Sequence, residues 1–284
     1  MPVSCAVGLP NIGEYGDPLL LLELAREAEA AGWAGAFVWD HVAYREPGWP
    51  VADPYMTVAA IAARTERIRL GVLVSAVARR RPTKLARELA TLDLLSGGRL
   101  VVGAGLGSQP DQEFTFFGED GDAKVRAAKL DEGLEIVDGL WRGEPYEFAG
   151  EHLRARTTGF LPRPLQRPRP PIWIAGGWPG TRPFRRAARW DGVFPTFKDG
   201  LRAATPVVAQ LEEVVAYTRA QRAEAGIAAD APFDVVLEGV SDGPDAALIA
   251  PYEQAGLTWW IEKLGWFRGP LEEMRARIAR GPPA

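Results

Sequence analysis

The chain has 284 residues, 47% of them apolar and 25% charged, with a net charge of −4 and a pI of about 5.5. That length supports one large α/β domain or two ordinary ones, and an acidic balance with no dominant basic patch argues against nucleic acid and anionic membrane surfaces as partners. The single cysteine, Cys5, excludes an internal disulfide, the start shows no leader pattern, and no apolar run approaches the ~20 residues a spanning helix needs, so a cytoplasmic location is expected.

In chain order, Val3 to Leu9 reads as a strand, with Cys5 as a small core residue rather than a nucleophile. Asp17-Pro18 then supplies an N-cap and a proline in the first turn, Leu20, Leu21, Leu24, Ala28 and Ala31 fall on one helical face, and Gly32 stops the helix. Ala34 to Trp39 is a second strand, Pro54 to Arg64 a helix, and Ile68 to Val74 a third strand. The Arg79-Arg80-Arg81 run reads as a solvated loop. Thr83 caps a helix carrying Leu85, Leu89 and Leu92 that ends at Gly97-Gly98, Leu100 to Ala104 is a fourth strand, and Lys124 to Trp141 is a helix. An interruption follows. Tyr146 to Pro170 holds a hairpin, YEFAGEHL, and then PRPLQRPRPP, which can be neither helix nor central strand. Alternation resumes with strands at Ile172 to Ala175, Gly192 to Pro195, Phe233 to Leu237 and Thr258 to Ile261, and helices at Thr181 to Arg189, Leu201 to Ala225, Pro244 to Ala255 and Pro270 to Arg280. Eight strand–helix units in one chain imply a parallel sheet, and favour a single (β/α)8 barrel with an insertion between strands four and five over a doubly wound sheet.

Barrel enzymes work at the C-terminal strand ends, so each junction is a candidate site. Strand two ends in Trp39-Asp40-His41, strand three in Leu73-Val74-Ser75, strand four in GAGLGSQ, strand five in AGGWPGT and strand six in FPTFK, with Lys198 read as a phosphate contact or a solvated charge. GAGLG is not a dinucleotide fingerprint, because the acidic segment SQPDQEF follows where a helix should open. It is either a plain turn or a place where a flat ring approaches the backbone. In GGWPGT, amides before a helix suit phosphate, a strand-exit turn is the plain alternative, and Trp178 would make a stacking surface. Asp40-His41 can be an acid–base pair, a metal pair or a structural cap. Metal is disfavoured because the other histidine, His152, lies in the hairpin. A serine triad lacks its elbow motif, and Asp40 with Glu238 as glycosidase acids is no better supported.

Three stretches carry a resemblance: Leu21 to His41 (LLELAREAEAAGWAGAFVWDH), Leu85 to Gly107 (LARELATLDLLSGGRLVVGAGLG) and Phe148 to Gly177 (FAGEHLRARTTGFLPRPLQRPRPPIWIAGG), with AGLTWWIE at Ala255 to Glu262 in keeping. Together they resemble the bacterial-luciferase-like family of flavin- and deazaflavin-dependent oxidoreductases. The resemblance implies a TIM barrel with a cofactor ring over its mouth. The ring would rest on a bulge at Leu73 and Val74, commonly with a non-proline cis peptide, beside Ser75, flanked by Gly105, Leu106, Gly107 and Ser108, with the cofactor phosphate near Gly176, Gly177 and Trp178. It favours coenzyme F-420 (deazaflavin), with FMN as the alternative. His41 would move a proton, Asp40 would fix its tautomer, and Trp39, Tyr44 and Lys198 would line the pocket of a small organic substrate. A separate flavin or deazaflavin reductase and a homodimer fit such a family. Sugar-phosphate dehydrogenases of the deazaflavin branch place a glutamate after the strand-four glycine. Ser108 stands there instead, so sugar-phosphate oxidation is not carried over. The alternatives are a two-component FMN monooxygenase and a non-catalytic ligand-binding barrel.

Overall fold

The computed structural model describes residues 2–44, 48–197 and 207–284. Its strands are β1 (Ser4–Leu9), β2 (Gly35–Val38), β3 (Arg69–Ala76), β4 (Leu100–Gly105), β5 (Tyr146–Ala149), β6 (Arg154–Thr157), β7 (Ile172–Trp178), β8 (Gly192–Phe197), β9 (Asp234–Gly239) and β10 (Trp259–Lys263). The helices are α1 (Pro18–Ala30), α2 (Pro54–Arg64), α3 (Pro82–Leu95), α4 (Pro110–Glu113), α5 (Ala123–Trp141), α6 (Thr181–Ala187), α7 (Val208–Glu224), α8 (Ala246–Gln254) and α9 (Leu271–Ala279). Parallel pairing closes a barrel in the order β1, β10, β9, β8, β7, β4, β3, β2, while β5 and β6 form a separate antiparallel pair. The eight-unit barrel with an insertion between its fourth and fifth strands is therefore the architecture.

Local signals set most boundaries. The Asp17 carboxylate accepts from the Leu19 amide, Asp53 from Met56, and Asp122 from Lys124 and Val125, each just before a helix. Thr83 does not cap α3: the helix opens one residue earlier at Pro82, with Arg81 in the cap position and no side-chain cap bond. The proline-rich insertion cannot join a ladder and is pinned from below. Asp93 of α3, fully buried, accepts from the Leu165 and Gln166 amides at 2.6 and 2.9 Å and from Gln166 Nε2 at 2.6 Å.

Alternation along the strands splits the core in two. Val7, Val38, Val72, Val102 and Leu237 face the helices, whereas Ala6, Phe37, Leu73, Val101, Trp173, Phe194, Val236 and Ile261 fill the barrel. Phe37, Trp173 and Trp259 pack ring to ring at 5.4 to 6.2 Å. Trp173 Nε1 donates to Asp234, whose carboxyl is pushed upward by burial. This aromatic plug leaves the C-terminal mouth as the end where a ligand has room. Cys5 lies in the helix-facing core, and burial pushes its thiol up to about 11. Among the described residues no helix is long and apolar enough to cross a membrane.

Candidate active site

A cavity of about 1250 Å³ opens at the C-terminal mouth. Trp39, His41, Tyr44, Leu73, Val74, Gly105, Leu106, Gly107, Ser108, Gly176 and Gly177 all line it, as the strand-end reading expected. Lys198 lies outside the described residues.

Beyond Val38, which faces the helices, the extended chain continues to alternate. Trp39 and His41 are therefore turned to the cavity, and Asp40, although it borders the cavity, has its carboxylate turned back to Arg79 and Arg80 with no side-chain exposure. Asp40 accepts from the Ala76 amide at 3.0 Å, Arg79 at 2.6 Å and Arg80 at 2.8 Å. Burial works to raise its pKa, but Arg80 and Arg79 outweigh that and hold the carboxyl below the usual range. Asp40 thus does not fix the His41 tautomer, which corrects the expectation from sequence. Glu113 of α4 does so, its Oε1 lying 2.6 Å from His41 Nδ1. Glu113 Oε2 accepts from Arg79 at 2.9 Å. A carboxylate shared with a guanidinium can only accept, so Nδ1 carries the hydrogen and Nε2 is the nitrogen left for chemistry. The backbone of His41 is clamped as well. Asn11, fully buried, accepts from its amide at 3.2 Å and donates to its carbonyl at 3.0 Å.

Arg79 and Arg80 are accordingly ion-paired at the site rather than part of a solvated loop, and only Arg81 is exposed. Glu113 was missed from sequence. Its only signal was the acidic character of SQPDQEF, in a segment with no periodicity to orient it.

The floor is a bulge in β3. The register with β4 shifts between Val72 and Ser75, and the Leu73–Val74 peptide is cis. The glycines of β4 are the counterpart of this bulge. A Cβ on Gly103 would come within 2.6 Å of the Val72 carbonyl oxygen, and one on Gly105 within 2.9 Å of Val74 Cγ2. Packing inside the protein thus explains two glycines that sequence alone left to a turn or a ligand. Ser75 falls on the helix side of the shifted strand, 1% exposed and hydrogen-bonded to Tyr55, and is not a cavity residue.

β7 runs three residues further than expected, through Gly176, Gly177 and Trp178. Trp178 therefore faces outward. It packs on Phe184 and Tyr217 at 5.2 and 5.9 Å and donates to Glu213 at 2.8 Å, so it is no stacking surface for a ligand in the cavity. Gly176 makes room for Pro183, whose Cβ would lie 2.1 Å from an added Cβ, whereas a Cβ on Gly177 would find only Thr196 Oγ1, at 3.8 Å. Gly177 is open toward the cavity.

From the loops after β2 and β10, Trp49, Trp266 and Phe267 join Trp39 and Tyr44 in the lining, and Glu238 pairs with Lys263 at 2.9 Å. Trp49, Trp266 and Phe267 were also missed, since they sit in loops without a pattern.

The family model described as luciferase-like monooxygenase matches residues 9–241. A flavin-dependent trigonelline monooxygenase, oxygenase component, from Acinetobacter baylyi is 32% identical over 58% of this chain and 44% of its own length. An F420-dependent glucose-6-phosphate dehydrogenase from Nocardia farcinica is 32% identical over 72% of this chain and 62% of its own. The chain thus spans less than two thirds of either relative. The monooxygenase RslO1 from Streptomyces bottropensis has the same fold, with a TM-score of 0.77 at 24% identity over 98% of this chain and 97% of that one. With its barrel, its β3 bulge and a match over most of its length, the chain belongs to the luciferase-like monooxygenase family.

Proposed function

We propose that the protein is an oxidoreductase that works with a flavin-type cofactor, the deazaflavin F-420 being favoured, and that His41 handles the proton accompanying hydride transfer to or from a small organic substrate. The observation that carries this reading is the His41–Glu113 pair at 2.6 Å on the rim of the cavity over the β3 bulge. The residues fit a flat ring. The bulge offers Leu73 and Val74 as a floor, the backbone of Gly105 to Ser108 an edge, and Gly177 a surface that any side chain would fill. The phosphate end would lie toward Gly176 and Gly177.

When bound, the cofactor supplies or accepts the hydride. The chain's own residues do the rest. Glu113 holds Nδ1 so that Nε2 meets the substrate, Asn11 fixes the backbone of His41, and Arg79 holds Glu113 in place. Asp40 acts at one remove, by ordering Arg79 and Arg80. Although one relative is named for glucose-6-phosphate, Ser108 stands where that branch carries its acid, and sugar-phosphate oxidation is not proposed. Titration with oxidised deazaflavin, read by ring fluorescence, tests the reading, and absence of saturable binding refutes it.

The name of the Acinetobacter relative favours a second reading, an FMN monooxygenase served by a separate reductase. It requires FMN binding and substrate-dependent oxygen uptake above the autoxidation of free flavin.

A further inference from the structure

We propose that the substrate is a flat, uncharged aromatic or conjugated ring, laid against a surface built by Trp39, Tyr44, Trp49, Trp266 and Phe267. As a statement about substrate it rests on the oxidoreductase reading above. As a binding site it stands alone.

The five rings come from two loops distant in sequence, after β2 and after β10, and make one continuous face. Trp39 and Phe267 lie 5° from parallel with centroids 6.3 Å apart, and Tyr44 and Trp49 stack at 5.7 Å and 23°. Trp266 sets its edge against Trp39, Tyr44 and Trp49 at 6.2, 5.7 and 5.2 Å. His41 abuts the same surface, 5.0 Å from Tyr44 and 6.1 Å from Trp39. The cavity therefore has two unlike halves, backbone and aliphatic on the β3–β4–β7 side and aromatic on the β10–β2 side, with His41 at the seam.

Ring geometry and charge narrow the ligand. The rings touch one another rather than surrounding a gap, so they offer flat π surface and not the cage that encloses an ammonium group. Every charged lining residue among those described is already paired: Asp40 with Arg79 and Arg80, His41 with Glu113, and Glu238 with Lys263. An anionic substrate would have to break one of these pairs. A neutral ring gains apolar contact and ring–ring geometry without that cost.

Calorimetric titration with 2-naphthol and with its saturated counterpart decahydro-2-naphthol tests this. The carbon skeleton and hydroxyl position are shared, so the pair compares a flat π ring with a puckered saturated one. The naphthol is expected to bind about fivefold to tenfold more tightly, in line with the worth of one or two aromatic pairs. Trp266→Ala should abolish that preference and Trp266→Phe should largely keep it, with cofactor binding retained in both. Equal affinity for the two alcohols, or an undiminished preference in Trp266→Ala, overturns the proposal. So does tighter binding of 2-naphthoate or of trimethyl(2-naphthyl)ammonium than of the neutral alcohol. If the naphthol preference holds but neither deazaflavin nor FMN binds, the ring site stands and the cofactor reading falls. If a cofactor binds and the preference is absent, the ring site falls alone.

Discussion

Two buried carboxylates lie at strand ends on either side of β1, and each is held by two arginines. Glu262 of β10 accepts from Arg268 at 2.6 Å and Arg277 at 3.4 Å, from the Ser241 amide and hydroxyl at 3.0 and 2.6 Å, and from Trp260 at 3.1 Å. Asp40, after β2, has Arg79, Arg80 and the Ala76 amide. The first cluster closes on itself, and none of its members touches the cavity. The second has an exit, since Arg79 passes to Glu113 and Glu113 to His41. Residue types alone do not separate a structural network from a working one. What separates them is whether one member reaches the space where a ligand sits.

Variants can break or sharpen that contrast. Glu262→Ala leaves two buried arginines with backbone and hydroxyl acceptors but without their carboxylate, and should destabilise the fold by about 3–5 kcal/mol. Denaturant unfolding checks this, and a loss no larger than that of Asp40→Asn would erase the distinction. His41→Ala should lower turnover about 10²–10⁴-fold while cofactor affinity, read by fluorescence, is retained. Asp40→Asn should cost about 1–3 kcal/mol of stability. It should also alter the acid limb of the stability curve. The folded-state pKa of Asp40 lies below its unfolded value of about 3.9, so its contribution is fully present above roughly pH 4 and is lost as pH falls through the folded value. Urea midpoints between neutral and acid pH should fall less steeply in the variant than in the parent. The smallest effect is expected for Glu113→Gln, where weakening one charge-assisted bond of about 1.5 kcal/mol should slow turnover roughly tenfold and change the shape of the pH–rate profile. A pH profile identical to that of the parent would make Glu113 a mere packing residue.

The barrel was legible because strands and helices alternate with caps and prolines at their junctions, signals carried within a dozen residues. His41 was legible for the same reason, lying where an apolar run stops. Its partner was not, because Glu113 is 72 residues away on a helix of four residues with no periodic face. Asp40 was misassigned by adjacency: neighbours in an extended chain point to opposite sides. Trp178 and Ser75 were misplaced through strand geometry. Three more residues of β7 turned Trp178 outward, and the β3 bulge shifted the facing of Ser75, both effects of pairing with other strands rather than of local sequence. The loop aromatics Trp49, Trp266 and Phe267 had no pattern to place them, and only closure of the barrel brings β10 beside β1 and near β2.

The Asn11 clamp has a bearing on how such a protein can change. Asn11 grips both backbone groups of His41 from the loop after β1, and with the same amide nitrogen it holds the Ala52 carbonyl at 2.8 Å, so His41 and the segment just after Trp49 share one anchor. The loop bearing Trp266 makes no such contact with Asn11 among the described residues, so it can drift under selection, or be randomised in a library, while His41 stays put. New substrate preferences would then be reached by exchanging rings at the mouth, with residues 11, 41, 79 and 113 left as a fixed cassette.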